Sequence, residues 1–237
     1  MIHLNLEGAA TRELQILCLG CHSDDIEIGC GGTILRLAQE YPNCVFHWVV
    51  FSATGVREAE AKYAAAQFVH IDHLKGPLLK TFADGFMPFV GAEVKAVFEE
   101  LKQTISPDLI FTHHRTDAHQ DHRLVAELTW NTFRNHLILE YEIPKYDGDM
   151  GQPSVFVPLE MDICQKKVRC IMEAFKSQHH KRWFQPDTFL SLMRLRGMEC
   201  NAPSGHAEAF FCRKLTLGGE VRESAGDEHP TRTVQTS

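Results

Sequence analysis

The sequence predicts an α/β protein: a single Rossmann-like domain with a mostly parallel sheet flanked by helices. Three observations predict it. Short, nearly continuous apolar runs such as Leu14-Gln15-Ile16-Leu17-Cys18-Leu19-Gly20 read as strands buried on both faces. Segments of helical spacing follow them. The two kinds of segment alternate, as they do where parallel strands are joined by helical crossovers.

Residues 14–20 form the first strand, and after the polar stretch from Cys21 to Glu27 helical spacing begins at Gly31 and stops before Pro42. The unit repeats with Val45 to Phe51 as strand and Arg57 to Phe68 as an alanine-rich helix, followed by a short segment from Val69 to Leu74. Glu93 to Thr104 is helical. Ser106-Pro107-Asp108 turns the chain into a strand over Leu109 to Thr112, and helical periodicity resumes from Asp121 to Asn135. Further on, Ile143 to Gly151 reads as a long loop that shapes the pocket, Val155 to Val157 as a strand, Met161 to Ser177 as an amphipathic helix, and Ala209 to Cys212 as a late strand. Residues 1–217 form the expected domain, and 218–237, polar and almost without apolar residues, read as a disordered tail.

The 237 residues suffice for one self-supporting core, and 44% hydrophobic with 23% charged residues is ordinary for a globular protein. A formal net charge of −7 and the lack of a Lys/Arg cluster argue against a nucleic-acid partner. No apolar run approaches the roughly 18 residues needed to cross a bilayer, so the expected location is the cytoplasm. Eight irregularly spaced cysteines read as reduced thiols; the CxxC of Cys18 and Cys21 lies within a strand and has no second pair to complete a metal site. A homo-oligomer is compatible with the sequence, which does not set the number of copies.

The chemistry concentrates just after two strands, at the carboxyl edge where open α/β sheets bind ligands. The first cluster is His22-Ser23-Asp24-Asp25. His22 and Asp25 are three apart, so one helical turn points both the same way and lets them grip one metal. Asp24 diverges from that face, either towards a water as general base or as a cap of the following helix. The second cluster runs from His113-His114 to His119-Gln120-Asp121-His122. His119 and His122 repeat the three-residue spacing; one suits a ligand and the other faces a substrate. Two histidines and a carboxylate with an open fourth position make a catalytic zinc set. Asp117 and Asp121 are acceptors suited to orienting ligating histidines. For His113, His114, His179 and His180, a surface position is expected.

His22-Ser23-Asp24-Asp25 with Gly29-Cys30-Gly31-Gly32-Thr33, followed by His119-Gln120-Asp121-His122, resembles the two motifs of the PIG-L/LmbE family of zinc-dependent N-deacetylases. Arg57-Glu58-Ala59-Glu60, Lys176-Ser177-Gln178 and Ala207-Glu208-Ala209-Phe210 are similar to its weaker blocks, so the likeness spans about residues 14–214. The resemblance implies one zinc ion per chain on His22, Asp25 and His122, with Asp24 as general base. It also implies that His119 steadies the oxyanion or protonates the leaving amine, and that Arg57 anchors the substrate, an N-acetylated sugar or sugar conjugate. Ser23 and Gln120 stand where the family usually has proline; neither is an implied ligand. Gly29, Gly31 and Gly32 lack both the G-x-G-x-x-G spacing and the P-loop lysine, and read as a tight turn with close helix packing.

Rival readings are a zinc hydrolase for a non-sugar amide or an ester, and a non-catalytic sugar- or nucleotide-binding protein with a structural metal. The second would close its metal site with a fourth ligand and leaves Asp24 without a role. The missing dinucleotide fingerprint disfavours an NAD-dependent oxidoreductase.

Overall fold

A computed structural model describes residues 12–216 of the chain. The tail expected from residue 218 lies outside the described residues. The elements are β1 (Leu14–His22), α1 (Asp25–Glu40), β2 (Cys44–Ser52), α2 (Val56–Phe68), β3 (Leu74–Leu79), α3 (Gly91–Thr104), β4 (Leu109–His113), α4 (Gln120–Thr132), β5 (Leu137–Tyr141), β6 (Val155–Pro158), α5 (Met161–Ala174), α6 (Pro186–Glu199) and β7 (Ala207–Cys212). They build one seven-stranded sheet in the order β3-β2-β1-β4-β5-β7-β6. The first five strands are parallel, and β7 runs antiparallel to both β5 and β6. The expected mostly parallel α/β architecture is the one observed.

Burial explains the strand sequences. Ile16, Leu17, Cys18 and Leu19 of β1 are fully buried, because helices cover both faces of the sheet. One face packs under α1, α2 and α5 around Trp48, Phe68, Phe111 and Phe210. The other packs under α3 and α4 around Phe51, Phe98 and Phe133, with the rings of Phe51 and Phe98 stacked 5.1 Å apart. From β1 the chain moves outward through β2 to β3, and from β4 it moves the other way to β5. The carboxyl ends of β1 and β4 therefore flank the crevice of the switch point, and the two histidine clusters begin there.

Several boundaries differ from the sequence expectation. Helix α1 starts at Asp25 rather than Gly31, so the three glycines lie inside it. Helix α4 ends at Thr132, and α5 ends at Ala174 with a separate 3-10 turn over Lys176–Gln178. The short segment expected at Val69 to Leu74 gives way to strand β3 at Leu74–Leu79, and strand β5 and helix α6 are additional. Strand β3 contains Gly76-Pro77, which interrupt its pattern and which an edge strand tolerates. Strand β5, Leu137-Ile138-Leu139-Glu140-Tyr141, follows α4 closely enough to be masked by it in sequence.

Candidate metal centre and active site

The turn after β1 brings the first cluster together. Asp25 Oδ2 accepts the backbone N–H of His22 at 2.6 Å, which folds the histidine back over the start of α1. Asp24 occupies the N-cap position of α1, but its side chain makes no capping bond. Its Oδ1 instead accepts from Arg57 Nη2 at 2.6 Å, with both side chains largely buried. Position alone suggested a cap; the ion pair takes the carboxylate elsewhere.

Three donor atoms converge between the clusters. His22 Nδ1 lies 3.1 Å from His122 Nε2. Asp25 Oδ2 lies 3.3 Å from His22 Nδ1 and 3.5 Å from His122 Nε2. Donors about 2.0–2.1 Å from a zinc ion stand roughly 3.3–3.4 Å apart along the edges of a tetrahedron, so the three atoms match three corners of one. The donor chemistry agrees. His122 Nδ1 donates to Asp117 Oδ2 at 3.0 Å, leaving Nε2 as a lone pair, and the other nitrogen of His22 faces carboxylates. The His122 lone pair and the Asp25 carboxylate then point at one space; against burial, the carboxylates around His22, Asp25 foremost, hold its pKa well above the ordinary value, so the space favours positive charge, which a bound cation would supply. The residues fit a zinc ion.

Behind His122 the support is deep. Asp117 is buried and takes an ion pair from Lys145 Nζ at 3.0 Å, while Lys145 also pairs with Asp149 at 2.6 Å. Burial opposes the Asp117 charge, yet the hydrogen bond from His122 holds its carboxyl well below the usual range. The 142–151 loop thus braces a candidate ligand through Asp117. The same burial, reinforced by His113, lowers the pKa of His122 and favours the neutral ring that binds metal.

His113 corrects the expected surface position. It is fully buried at the end of β4, stacked on His122 at 3.9 Å between centroids. Its Nε2 is 3.0 Å from the backbone N–H of Cys21, which donates to it, and 3.1 Å from Asp25 Oδ2. His113, Asp25 and His122 thus also bring one donor atom each within 4.8 Å of one another, with Cys21 N–H already directed at the His113 nitrogen. His114 is partly buried, stacked on Phe211, whereas His179 and His180 are exposed as expected.

His119 caps α4, its Nδ1 accepting from Asp121 N–H at 3.3 Å, and its ring stacks on His122 at 4.5 Å. With Nδ1 an acceptor, the proton of the neutral ring sits on Nε2. Burial first, then the neighbouring His122 and His22, lowers its pKa and keeps it neutral near pH 7. Asp121 does not orient His122 but tethers the segment before α3, accepting from Gly85 N–H at 2.6 Å and Met87 N–H at 3.2 Å. That tether brings Asp84 to 3.0 Å from His22 Nε2 and 3.9 Å from His119 Nε2. Sequence reading missed Asp84, which sits in a loop without any motif.

Comparison with known proteins assigns the chain. The family model described as PIG-L, GlcNAc-PI de-N-acetylase, matches residues 17–133. The uncharacterized deacetylase YaiS of Escherichia coli K12 is 31% identical over 155 residues, covering 59% of this chain and 79% of the relative. The chain belongs to the PIG-L family. It is a deacetylase, a hydrolase acting on amides. Solved structures add the fold. N,N'-diacetylchitobiose deacetylase from Pyrococcus horikoshii superposes with a TM-score of 0.65 at 17% identity, covering 88% of this chain and 87% of its own. The 4-carboxy-2-hydroxymuconate hydratase GalB from Pseudomonas putida KT2440 does so at 0.64 and 15%, covering 88% and 99%. The architecture therefore carries more than one reaction.

In this PIG-L member the weaker motifs turn out to be joints. Glu60 accepts from Ser177 N–H at 2.8 Å and Ser177 Oγ at 2.7 Å, and Arg57 lies over the Phe175 ring, so α2 is fastened to the turn after α5. Glu208 accepts from Gly32 N–H at 2.7 Å and Thr33 N–H at 2.6 Å, and pairs with buried Lys167 at 2.6 Å. Lys167 also donates to Ile28 O. The glycines serve close packing within α1 rather than a turn: a Cβ on Gly29 would stand 2.2 Å from the Tyr141 ring, and one on Gly31 2.5 Å from Phe68. All eight cysteines are free. No helix among the described residues is long and apolar enough to cross a membrane.

Proposed function

We propose that this deacetylase releases acetate from the amide of an N-acetylated sugar or sugar conjugate, with one zinc ion held by His22, Asp25 and His122. The observation that carries the metal assignment is the near-tetrahedral spacing of their three donor atoms, 3.1, 3.3 and 3.5 Å apart. The sugar assignment rests on the family description, a de-N-acetylase of a GlcNAc conjugate, and on the sugar deacetylase that shares the fold.

A zinc ion bound there supplies a Lewis acid and makes a coordinated water acidic near neutral pH. Asp24, next to ligand Asp25 and held by Arg57, takes a proton from the attacking water. His119, neutral and carrying its proton on Nε2, donates to the acyl oxygen as negative charge develops. The proton held by Asp24 then passes to the leaving nitrogen as the C–N bond breaks, giving acetate and a free amine. Arg57, fixed at the wall by Asp24, anchors the substrate through its remaining N–H groups.

Incubating zinc-loaded protein with a panel of N-acetylated sugars, sugar nucleotides and non-sugar acetamides, and measuring acetate, tests the reading. Acetate from the sugar members alone supports it. Release from the non-sugar amides alone overturns the substrate class.

A further inference from the structure

The start of α1, which carries Asp24 and Asp25, is gripped from behind by a buried ion pair. In an α-helix Gly32 N–H is the donor to Ile28 O, and Thr33 N–H the donor to Gly29 O. Here Glu208 takes both donors, with Oε1 2.7 Å from Gly32 N and Oε2 2.6 Å from Thr33 N, and Lys167 Nζ donates to Ile28 O at 2.7 Å. The two side chains are buried and meet each other at 2.6 Å. The pair therefore partners both groups of a hydrogen bond that a helix makes within itself. Gly32 leaves space for it: a Cβ there would lie 2.9 Å from Glu208 Oε1 and 2.5 Å from Leu159 Cδ1. Ile28 is tied in turn to the site, because its N–H donates to Asp24 O at 3.0 Å, while Asp25 Oδ2 accepts the His22 N–H at 2.6 Å. A cavity lined by Ile28, Gly29, Lys167, Met193 and Glu208 adjoins the joint, so packing alone does not fix the turn on that side.

We propose that Lys167 and Glu208 are positioning residues for the catalytic centre: inserted at this point of α1, they set its first turn so that Asp25 Oδ2 meets His22 Nδ1 and His122 Nε2 at the spacing of a metal set. The inference rests on the ligand role proposed above for Asp25. Side chains inserted into a helical ladder change the local direction of the helix, and a functional constellation tolerates displacements of only about 0.5 Å. A purely stabilising role makes a different demand. Apolar residues of similar volume would serve it equally well, since a buried ion pair adds little net stability over them. With the pair gone, Gly32 N–H is left to Ile28 O; closing that bond draws Ile28 towards Gly32 and takes the Asp24–Asp25 turn with it. The two charges are thus required for the geometry of the site rather than for the stability of the fold.

Zinc affinity of the full chain, read by competition with a chelator of known affinity, and melting temperature together test this. Lys167→Met and Glu208→Leu each strand one buried charge and are expected to lower the melting temperature. The double variant strands none and is expected to regain much of that loss. It is nevertheless expected to bind zinc about 10–100-fold more weakly than the wild type, the usual effect of removing a support behind a metal ligand. Gly32→Ala keeps both charges but sets a methyl against Glu208 Oε1, and is expected to weaken zinc binding as well. Leu101→Ala, a core truncation on the other face of the sheet, is expected to lower the melting temperature and leave zinc affinity unchanged. Wild-type zinc affinity in the double variant or in Gly32→Ala overturns the proposal and leaves the pair as a joint of the fold; an equal loss of affinity in Leu101→Ala does the same. Asp25→Ala checks the ligand set. Zinc bound there as tightly as in the wild type strikes the proposed ligands, whereas weakened binding in Asp25→Ala beside an unaffected double variant strikes the positioning role alone.

Discussion

Asp24 and Arg57 form a largely buried ion pair, Nη2 to Oδ1 at 2.6 Å, that joins the turn after β1 to the first turn of α2. A residue at an N-cap position is thereby drawn away from capping and held at the edge of the candidate metal centre.

Replacing Asp24 by Asn separates its two candidate roles. Since no capping bond exists to be lost, Asp24→Asn should keep the fold and its zinc, while kcat falls by roughly 10²–10⁴, the usual worth of a positioned base. Turnover, zinc content and melting temperature on one preparation check this; near-normal turnover would remove the base role.

His119→Ala should retain zinc and lose about 10²–10³ in kcat, the typical effect of deleting a donor to a developing oxyanion. It should also cost about 1 kcal/mol of stability, because the imidazole caps α4. Zinc loss in this variant would mean that His119 and His122 have exchanged roles.

Chelation should abolish activity, and zinc should restore it. His122→Ala should bind zinc poorly even after reconstitution, because Asp25 and His22 alone supply too few donors. Stoichiometric zinc in this variant, measured by elemental analysis at low total zinc, would place the metal elsewhere.

Glu208→Gln should destabilise the protein by about 3 kcal/mol or more. The carboxylate is the ionic partner of buried Lys167, and removing one charge of a buried pair strands the other. Chemical denaturation checks the loss, and an unchanged midpoint would show that Lys167 finds another acceptor.

Gly29→Ala should be destabilising by about 1–3 kcal/mol, since the added methyl meets the Tyr141 ring rather than a flexible chain end. Tyr141 donates its hydroxyl to Leu19 O at 2.6 Å and stands 3.2 Å from His113 Nε2, so the shift also reaches the wall of the metal centre. A lower melting temperature with weakened zinc retention is expected; wild-type values for both would show that the ring moves freely.

By itself the sequence determined the alternation of strands and helices, the position of both histidine clusters at strand ends, and the pairing of His22 with Asp25 within one turn. These are local properties: apolar period marks the element, and three-residue spacing brings side chains onto one face. Only the tertiary structure decided what meets across long separations. Sheet order places β4 beside β1, which buries His113 against Asp25 and sets His122 beside His22. The loop tether to Asp121 delivers Asp84, and β7 carries Glu208 to the backbone of α1. Strand β5 and helix α6 escaped notice because a short run close behind a helix and a helix with scattered apolar positions both lack a clear period. Which nitrogen of His122 is left as a lone pair was likewise decided by Asp117, outside both motifs, since a ring's tautomer follows from what its other nitrogen touches.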